Sequence, residues 1–408
     1  MTRFNSKMSQ HWQEHLEQRQ TALKNQSLWR QRRELSSPQQ AEITLAVNGH
    51  SLINFSSNDY LGFANHPSLI QAMSAAARQW GVGSGASHLV NGHQTPHQDL
   101  ETELAKFVGA EQALLFSTGY MANLAIPSAF LSRHDLIIQD KLNHASLIDA
   151  AQLSSARLLR YQHADNQHAD QILQKVSHQK SMISTDGIFS MDGDMAPLQQ
   201  LKKICEKHDS LLFIDDAHGL GVLGETGRGS LELEDMTATG NTLLMGTLGK
   251  GFGSFGAFVA GDTLLIEQLI QSARTYIYTT ALPAPVAAVS KQALVLLHDE
   301  GSARRQALQQ RIDQFKQGTE DLSFSLLPSN SPIQPMVIGN ENATLAASHY
   351  LYEQGFYVTA IRPPTVPKGT ARLRFTLSAE HTESHIEHLL STLASAPFQA
   401  LIKTANSS

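Results

Sequence analysis

A lysine surrounded by glycines is the residue of this chain best suited to bond covalently to a carbonyl compound. Lys250 lies in the glycine-rich segment 246–253, directly after an apolar stretch. Small neighbours leave room for a flat ring to approach the backbone. A lysine that forms a Schiff base must react as the neutral amine, so its pKa of about 10.4 has to be lowered by burial or by nearby positive charge. A lone Gly-Lys pair is more often part of a surface loop, so the prediction depends on the motifs around it.

Two aspartates end another apolar stretch. Leu211–Asp215 is followed by Asp216 and then by His218. In enzymes that use pyridoxal 5′-phosphate (PLP), a carboxylate at a strand end pairs with the pyridine nitrogen and makes the ring an electron sink for a carbanion. Asp215 is the better candidate because it directly ends the strand, and His218 could then contact the phenolic oxygen of the ring. Helix capping and metal binding are the alternatives, but a metal would need further ligands at short spacing, and the sequence offers none there.

Two more segments place polar groups after apolar stretches. In 116–123 a strand gives way to small residues that begin a helix, and the free N–H groups of a helix N-terminus suit a phosphate dianion. Thr247, close to Lys250, offers a second phosphate contact. His144 follows the apolar stretch 136–139 and could stack on the ring face opposite the lysine. A structural role is the alternative for this residue, since the chain has 19 histidines.

The elements that must position these residues are short apolar segments that alternate with helical stretches. The candidate strands are 113–116, 136–139, 157–161, 182–185, 211–215, 243–246 and 257–260. Continuous apolar runs separated by helices predict a mostly parallel sheet with helices on both faces, an α/β fold. Ligands of such sheets bind beyond the carboxyl ends of the strands, where the polar motifs of this chain cluster.

The flanking regions predict smaller units. Residues 8–35 indicate an amphipathic helical arm, and the turn residues Asn48-Gly49 between apolar stretches indicate a hairpin. After Pro283 and Pro285 we expect a long helical stretch to about residue 318, and then a small α/β unit. Its predicted elements are a strand (334–338), a helix (343–354), two strands (357–361 and 371–377) and a helix (382–393). The predicted division is an arm with its hairpin (1–55), a large domain (56–290) and a small C-terminal α/β domain (291–408).

The composition argues against nucleic acid and anionic membranes as partners and bears on the cellular compartment. The 408 residues carry a formal net charge of −6, which gives no basic surface for nucleic acid or an anionic membrane. The chain lacks an apolar run long enough for a secretory signal or a membrane span. Cys205, the single cysteine, cannot form an internal disulfide, which fits a reducing compartment. We therefore predict a cytoplasmic protein with small-molecule substrates.

Five stretches together resemble the α-oxoamine synthases, a PLP family with the fold of aspartate aminotransferase (fold type I). They are 54–62 (NFSSNDYLG), 190–194 (SMDGD), 215–219 (DDAHG), 224–229 (GETGRG) and 247–250 (TLGK). The resemblance covers essentially the whole chain. It implies the joining of an amino acid to an acyl thioester with loss of carbon dioxide. The stretch 360–374 is most similar to members that use L-alanine and a pimeloyl thioester in biotin biosynthesis.

The resemblance implies a role for individual residues of the cofactor site. Lys250 would be the Schiff-base lysine, with His144 stacked on the ring, Asp215 on its nitrogen and His218 on its phenolic oxygen. The remaining cofactor contacts would come from Ser190, from the backbone of Gly119 and Tyr120, and from the side chain of Thr247. No metal is expected.

Substrate and subunit contacts follow from the same resemblance. Arg362, with Asn58 nearby, would bind the carboxylate of the amino acid, since a guanidinium can donate two parallel hydrogen bonds. Arg30 and Thr365 would contact the acyl substrate. Thr279 and Thr280 would reach the phosphate of the neighbouring subunit, which implies a homodimer with shared active sites. Asp186 stands where some relatives carry glutamate, and 84–97 is a variable loop on the substrate side.

Several alternatives stay open at this point. The chain could be a sister synthase that uses glycine or serine, or a fold-type I aminotransferase or lyase. A non-catalytic PLP-binding protein is a third alternative, against which the intact set Lys250, Asp215, His144 and Arg362 argues. The sequence does not decide whether coenzyme A or acyl carrier protein carries the acyl chain.

Overall fold

The computed structural model describes residues 8–322, 324 and 326–406. The helices are α1 Gln10–Asn25, α2 Pro67–Trp80, α3 Thr95–Val108, α4 Gly119–Phe130, α5 Ala145–Ser154, α6 Asn166–Lys175, α7 Leu198–Lys207, α8 Ser230–Leu233, α9 Thr263–Ser272, α10 Arg274–Ile277, α11 Ala284–Asp299, α12 Gly301–Thr319, α13 Glu341–Glu353, α14 Glu383–Ala394 and α15 Ala396–Asn406. The strands are β1 Glu42–Thr44, β2 Ser51–Asn54, β3 Gln112–Phe116, β4 Leu136–Asp140, β5 Arg157–Tyr161, β6 Ser181–Asp186, β7 Leu211–Asp215, β8 Thr242–Thr247, β9 Ala257–Gly261, β10 Ile333–Gly339, β11 Phe356–Tyr357, β12 Thr359–Ile361 and β13 Ala371–Thr376.

A seven-stranded sheet in the order β3-β9-β8-β7-β6-β4-β5 forms the centre of the molecule. Strands β8, β7, β6, β4 and β5 run parallel, while β9 is antiparallel to both of its neighbours. All seven predicted strands are confirmed, each to within one residue at either end. The register places Asp186 opposite Asp215 on β7, and Asp215 opposite Met245 on β8. The carboxyl ends of three neighbouring strands therefore lie side by side.

Both faces of the central sheet are buried, which explains the continuous apolar runs. Along β7, Leu212 and Ile214 belong to one hydrophobic cluster, while Phe213 between them belongs to a second cluster on the other face. Side chains of a strand alternate between its faces, so a strand covered by helices on both sides has to be apolar throughout. Asp215 is the first polar residue after this run, at the edge where the sheet ends.

Two three-stranded sheets flank the central one. The N-terminal hairpin of β1 and β2 forms as predicted, and β11 joins it in parallel through the pair Phe356↔Ile53. The second small sheet has the order β10-β13-β12. The single strand predicted over 357–361 was wrong, because the chain passes from one sheet to the other there. The division into three domains stays a prediction, with the hairpin sharing a sheet with a C-terminal strand.

Two segments differ in detail from the prediction. The helical stretch expected up to about residue 318 forms, and it is divided at Glu300 into α11 and α12. The segment 84–97, predicted as a loop, contains a π-helical turn at His88–Gly92 and the start of α3. None of the helices within the described ranges combines the length and the apolar character that a membrane crossing requires.

Candidate active site

The lysine singled out from the sequence lies at the carboxyl edge of the central sheet, just beyond β8. Its Nζ is 2.8 Å from Nε2 of His218, which follows the neighbouring strand β7. Lys250 is half-buried, and the surrounding protein desolvates its amine. This desolvation lowers the pKa of Lys250 to about 8; Asp215 and Asp186 oppose the shift, and Arg374 adds to it. A neutral amine is thus accessible near physiological pH.

Asp215 is held by donors on both carboxylate oxygens. Asn123 of α4 donates to its Oδ2 at 2.6 Å, and the backbone N–H of Ala217 donates to its Oδ1 at 3.0 Å. The same Asn123 amide nitrogen also lies 2.8 Å from the hydroxyl of Ser146, and its own oxygen has no partner among the described groups. Fixed donors of this kind orient a carboxylate toward a cationic ring nitrogen.

The second aspartate of the pair has a structural role instead. Asp216 accepts hydrogen bonds from the backbone N–H and the hydroxyl of Ser230. A Cβ at Gly219 or Gly229 would lie 2.2 or 2.0 Å from its carboxylate oxygens, so only glycine fits at these positions. Burial raises the pKa of Asp216 to about 7. The two adjacent carboxylates point to different surroundings, and only Asp215 faces the lysine.

His144 lies at the N-cap of α5, where its ring nitrogen Nδ1 contacts the hydroxyl of Ser146 at 2.7 Å. Its backbone N–H donates to Asp186 Oδ2 at 2.7 Å. Burial lowers the pKa of His144, with Asp215 acting in the opposite direction. Burial, followed by the charge of Asp215, raises the pKa of Asp186 well above its usual value. Through the bond to the backbone of His144, Asp186 anchors the segment that carries this histidine.

Arg374 of β13 is a site residue to which the sequence analysis gave no role. Its Nε donates to the carbonyl of Ser190 at 2.7 Å and a terminal nitrogen donates to Asn58 Oδ1 at 3.2 Å. The other terminal nitrogen donates to the hydroxyl of Thr376 at 2.9 Å. The side chain is buried, and every one of these partners is neutral. A buried guanidinium without a carboxylate partner is prepared to receive an anion.

The predicted phosphate contacts lie around the N-terminus of α4. Thr118 caps this helix by accepting from the N–H of Met121 at 3.2 Å, so Gly119 and Tyr120 form its first turn. The exposed Tyr120 hydroxyl donates to Asp149. The hydroxyl of Thr247 donates to the carbonyl of Gly256 at 3.1 Å. N–H groups of a first helical turn have no partners within the helix, so they are available to a phosphate.

Thr279 and Thr280 lie in the segment after α10. Thr280 forms an isolated antiparallel bridge with Ser87, and Ala281 N–H donates to the carbonyl of Ala86 at 3.0 Å. Thr279 is half-buried and Thr280 is exposed. The bridge ties this segment to the loop before the π-helical turn, which the sequence analysis placed on the substrate side.

Arg362 lies elsewhere, in a groove of about 400 Å³ between the N-terminal arm and the C-terminal strands. We call it the arm groove; its lining includes Ser27, Trp29, Arg33, Tyr357, Thr359 and Arg362. Arg362 donates to the carbonyl of Ser27, while its Nε is buried and has no partner in the part of the chain that the structure describes. Burial and the nearby Arg30 lower the pKa of Arg362. Arg30 and Thr365 are exposed.

The predicted residues thus fall into three groups. The structure brings Lys250, His218, Asp215, His144, Asn58 and Ser190 to one edge of the sheet. Arg362 lines the arm groove with Arg30 nearby, and Thr279 and Thr280 lie on the segment bridged to Ser87. Asn58 contacts Arg374 and not Arg362. Tyr60, Asn123 and Arg374 were inside the quoted motifs, but their contacts are with residues distant in sequence.

The donor set of this edge fits PLP. Asp215 supplies a carboxylate for a pyridine nitrogen, Lys250 an amine for an aldehyde, and the first turn of α4 a set of N–H groups for a phosphate. Between them, the imidazoles of His144 and His218 are kept neutral because burial lowers the pKa of each. Among the described residues, no group of three or more His, Cys, Asp or Glu is placed to hold a metal ion.

Comparison with known proteins assigns the family. The model for aminotransferase class I and II matches residues 50–393. The 8-amino-7-oxononanoate synthase of Saccharophagus degradans is 52% identical over 90% of this chain and 92% of its own length. That of Thioalkalivibrio sulfidiphilus is also 52% identical, over 93% of this chain and 95% of its own length. This chain belongs to the 8-amino-7-oxononanoate synthase family.

Solved structures agree with this membership of the 8-amino-7-oxononanoate synthase family. A serine palmitoyltransferase with PLP superposes with a TM-score of 0.87 at 27% identity, covering 98% of this chain and all of the other. The 8-amino-7-oxononanoate synthase of Francisella tularensis superposes with a TM-score of 0.73 at 32% identity, covering 87% of this chain and 98% of the other. The predicted α/β fold of type I is therefore confirmed.

Proposed function

We propose that this protein condenses L-alanine with a pimeloyl thioester to 8-amino-7-oxononanoate, with release of carbon dioxide and the free thiol carrier, in biotin biosynthesis. The observation that carries the proposal is the desolvated Lys250 amine, which faces His218 and lies among Asp215, Asp186 and Arg374. The family name of its relatives supplies the substrates. The thiol carrier would be coenzyme A or an acyl carrier protein.

PLP is the cofactor that this site would hold. When bound, PLP supplies an electron sink that stabilises negative charge at Cα of the amino acid. Lys250 would hold the cofactor until alanine takes its place, and its freed amine would then remove the Cα proton as general base. A pKa of about 8 suits this task because the neutral form is populated near pH 7 to 8. After carbon dioxide is lost, Lys250 would return a proton to Cα.

Asp215 and His144 would hold the cofactor in place for this chemistry. The carboxylate of Asp215, fixed by Asn123 and Ala217, would pair with the ring nitrogen and keep it protonated. His144, fixed by Ser146 and by its backbone bond to Asp186, would lie against the ring. His218, Ser190, Thr247 and the first turn of α4 would supply the remaining contacts.

Arg374 is the better candidate for the carboxylate of alanine. Its guanidinium donates to the carbonyl of Ser190 and to Oδ1 of Asn58, and its charge helps lower the pKa of Lys250. A carboxylate paired with Arg374 would keep Cα close to the amine that takes its proton. Only neutral groups hold Arg374 in the described structure, so an incoming carboxylate would not have to displace a competing anion.

Arg362 then becomes available for the acyl substrate. A pimeloyl chain ends in a second carboxylate, and the arm groove is lined by the guanidinium of Arg362, whose pKa is lowered by burial and by the nearby charge of Arg30. The unpartnered Nε of Arg362 is a donor without an acceptor. We propose that these two residues and Thr365 recognise the acyl substrate, with the distal carboxylate as the feature that selects pimeloyl over uncharged chains.

A cytoplasmic homodimer completes the proposal. Exposed apolar side chains lie near the bridge between Ser87 and Thr280, among them Val82, Leu89, Val90 and Tyr278. Apolar groups clustered at a surface mark a protein interface. In such a dimer Thr279 and Thr280 would contact the phosphate in the neighbouring site. Mixing inactive Lys250→Ala chains with inactive Thr279→Ala/Thr280→Ala chains should then restore activity, because one site of each heterodimer carries neither change.

The function is tested with purified protein and both substrates. The protein should absorb in the visible range and release carbon dioxide from L-alanine with pimeloyl-CoA, and mass spectrometry should find 8-amino-7-oxononanoate. Turnover with glycine or serine in preference to alanine would identify a sister synthase. Formation of pyridoxamine phosphate from alanine alone would identify a transaminase. Absence of turnover with any of these amino acids and pimeloyl thioesters would refute the proposal.

A further inference from the structure

A row of buried hydrogen bonds connects Asp215 to His144. The amide nitrogen of Asn123 donates to Asp215 Oδ2 at 2.6 Å and to the hydroxyl of Ser146 at 2.8 Å. The same hydroxyl lies 2.7 Å from Nδ1 of His144. Asn123 and Ser146 are both buried, so water does not compete for these contacts. The residue that ends β7 and the residue that follows β4 are thus joined through side chains, although β6 lies between the two strands.

A fixed donor assigns the proton of the His144 ring. The backbone N–H of Ser146 points to Nδ1 of His144 at 3.3 Å, and a backbone N–H can only donate. Nδ1 therefore presents its lone pair, and neutral His144 carries its proton on Nε2. Burial keeps the imidazole neutral by lowering its pKa, against the opposing charge of Asp215.

The remaining donors give the direction of the other contacts. The ionised carboxylate of Asp215 can only accept, so the Asn123 atom that faces it is the nitrogen, whose two protons serve Asp215 and Ser146. The Ser146 hydroxyl then accepts from Asn123 and gives its own proton to His144. With the ring proton on Nδ1 instead, the N–H and the O–H of Ser146 would both lose their acceptor among the described residues.

We propose that Asn123 and Ser146 are positioning residues that join Asp215 and His144 into one unit, with the His144 proton held on Nε2. The inference deepens the proposed function, because it rests on Asp215 pairing with the ring nitrogen of PLP and on His144 lying against the ring. Two cofactor contacts that share one row of hydrogen bonds are preorganised together. The proton on Nε2 also leaves His144 able to donate to an anionic substrate and unable to take the Cα proton, which is the task of Lys250.

The first test measures PLP binding by the full-length chain after its PLP has been removed with hydroxylamine. Ser146→Ala removes a neutral hydrogen bond and should raise the dissociation constant of PLP about 2- to 5-fold, whereas Asn123→Ala removes a donor to a charged group and should raise it about 10- to 100-fold. Without Asn123, the Ser146 hydroxyl is free to rotate away from His144. The double variant should therefore bind PLP within about 2-fold of Asn123→Ala, and a loss equal to the product of the single losses would overturn the proposal.

The second test records the visible circular dichroism of the bound cofactor relative to its absorbance. This ratio reports how firmly the ring is held and is insensitive to a general loss of stability. At saturating PLP, Ser146→Ala and Asn123→Ala should both lose part of the signal, because one face of the ring is less firmly fixed. An unchanged signal in Ser146→Ala would contradict the proposal. Ser146→Ala removes only a hydroxyl, so it decides the question even where Asn123→Ala fails to fold.

A matched control is available on the same helix. The Ser154 hydroxyl donates to the carbonyl of Ala151 at 2.7 Å, at the opposite end of α5 from His144. Ser154→Ala should leave both the dissociation constant and the dichroism unchanged. An equal change in Ser154→Ala and Ser146→Ala would indicate loosening of the whole helix and would count against the proposed row.

Asp215→Ala separates the inference from the assignment on which it rests. Unchanged PLP binding in Asp215→Ala would remove the proposed cofactor site together with the inference. Weaker binding in Asp215→Ala, with no effect of Asn123→Ala or Ser146→Ala, would remove the inference alone. The assays use neither alanine nor thioester, so their outcome is independent of the substrate test above.

Discussion

Arg374 lies on β13, and Arg362 directly follows the neighbouring strand β12 of the same small sheet. The two arginines nevertheless differ in how many of their donors have partners. All three donating groups of Arg374 have a partner, in Ser190, Asn58 and Thr376, at the closed edge of the central sheet. Arg362 donates to the arm at Ser27, and its Nε remains unpartnered in the described structure. The sheet edge is preorganised before any substrate arrives, whereas the guanidinium in the arm groove retains a donor without an acceptor among the described residues.

The difference between partnered and unpartnered donors suggests separate roles for the two regions in binding the two substrates. Preorganised polar groups cost no reorganisation during the reaction, which favours their use where charge develops at Cα. A groove with unpaired donors instead gains its interactions only when the acyl substrate binds. Variants of the sheet edge should therefore affect the chemical step or alanine binding, and variants of the groove should affect the acyl substrate alone.

The largest effect is expected for Lys250→Ala. Loss of the amine removes both the bond to the cofactor and the general base, so turnover should fall by about 10³-fold or more. The visible absorbance of the holoenzyme should disappear at the same time. A spectrum identical to that of the unchanged protein would show that another side chain bonds to PLP.

The second prediction compares the two arginines directly. Arg374→Gln should raise the alanine KM about 10- to 100-fold, since a charge-assisted bidentate pair contributes about 1.5–3 kcal/mol. Arg362→Gln should leave the alanine KM within about 2-fold and raise the KM for the pimeloyl thioester. Thermal unfolding of both variants controls for misfolding. If Arg362→Gln alone raised the alanine KM, the assignment made from the sequence would stand and the one made from the geometry would fail.

The sequence could predict the sheet edge because strand ends are visible as the first polar residues after apolar runs. Lys250, Asp215, His218 and His144 all occur at such positions, and parallel strands bring them together. Tyr60, Asn123 and Arg374 could not be assigned in this way, because their partners lie far along the chain: Tyr60 meets a histidine 158 positions away, and Arg374 an asparagine 316 positions away. The divided helix at Glu300 was missed because the helical pattern continues on both sides.

A third prediction concerns the contribution of the His163 ion pairs to the free energy of unfolding. His163 lies between Asp140 and Asp194, at 3.0 and 2.6 Å, and these two carboxylates raise its pKa to about 10 against the opposing effect of burial. Because the pKa in the folded state exceeds the unfolded value of about 6.5, the stabilisation is complete below pH 6.5 and is lost as pH rises through 10. His163→Gln should lower the free energy of unfolding by about 1–3 kcal/mol at pH 6 and by less at pH 9.5.

Denaturant titrations of the unchanged protein and His163→Gln at these two pH values provide the measurement. Equal destabilisation by the substitution at both pH values would mean that the charge of His163 contributes nothing. Because Asp140 also accepts N–H bonds from Leu142 and Ala164, some local order should survive in the variant.

The smallest effect is expected for Arg30, whose charge acts on Arg362 from nearby. Arg30 is exposed, and exposed ion pairs contribute about 0.2–1 kcal/mol. Arg30→Gln should therefore raise the KM for the pimeloyl thioester only about 2- to 5-fold, and added salt should reduce the difference. The matched variant Arg32→Gln, on the same exposed segment, should have no effect. An equal change for both variants would indicate a general electrostatic attraction and not a contact at Arg30.

Attempts to alter the substrate choice are constrained by a row of residues that lie side by side on three neighbouring strands, Asp186, Asp215 and Met245. Backbone hydrogen bonds between adjacent strands fix the spacing of this row, and a shift by one residue would turn every side chain of a strand to the opposite face. Libraries that vary the sheet edge should consequently yield mostly inactive proteins. Diversity placed in the arm and on the groove walls would leave the reactive centre untouched while exploring new acyl chains.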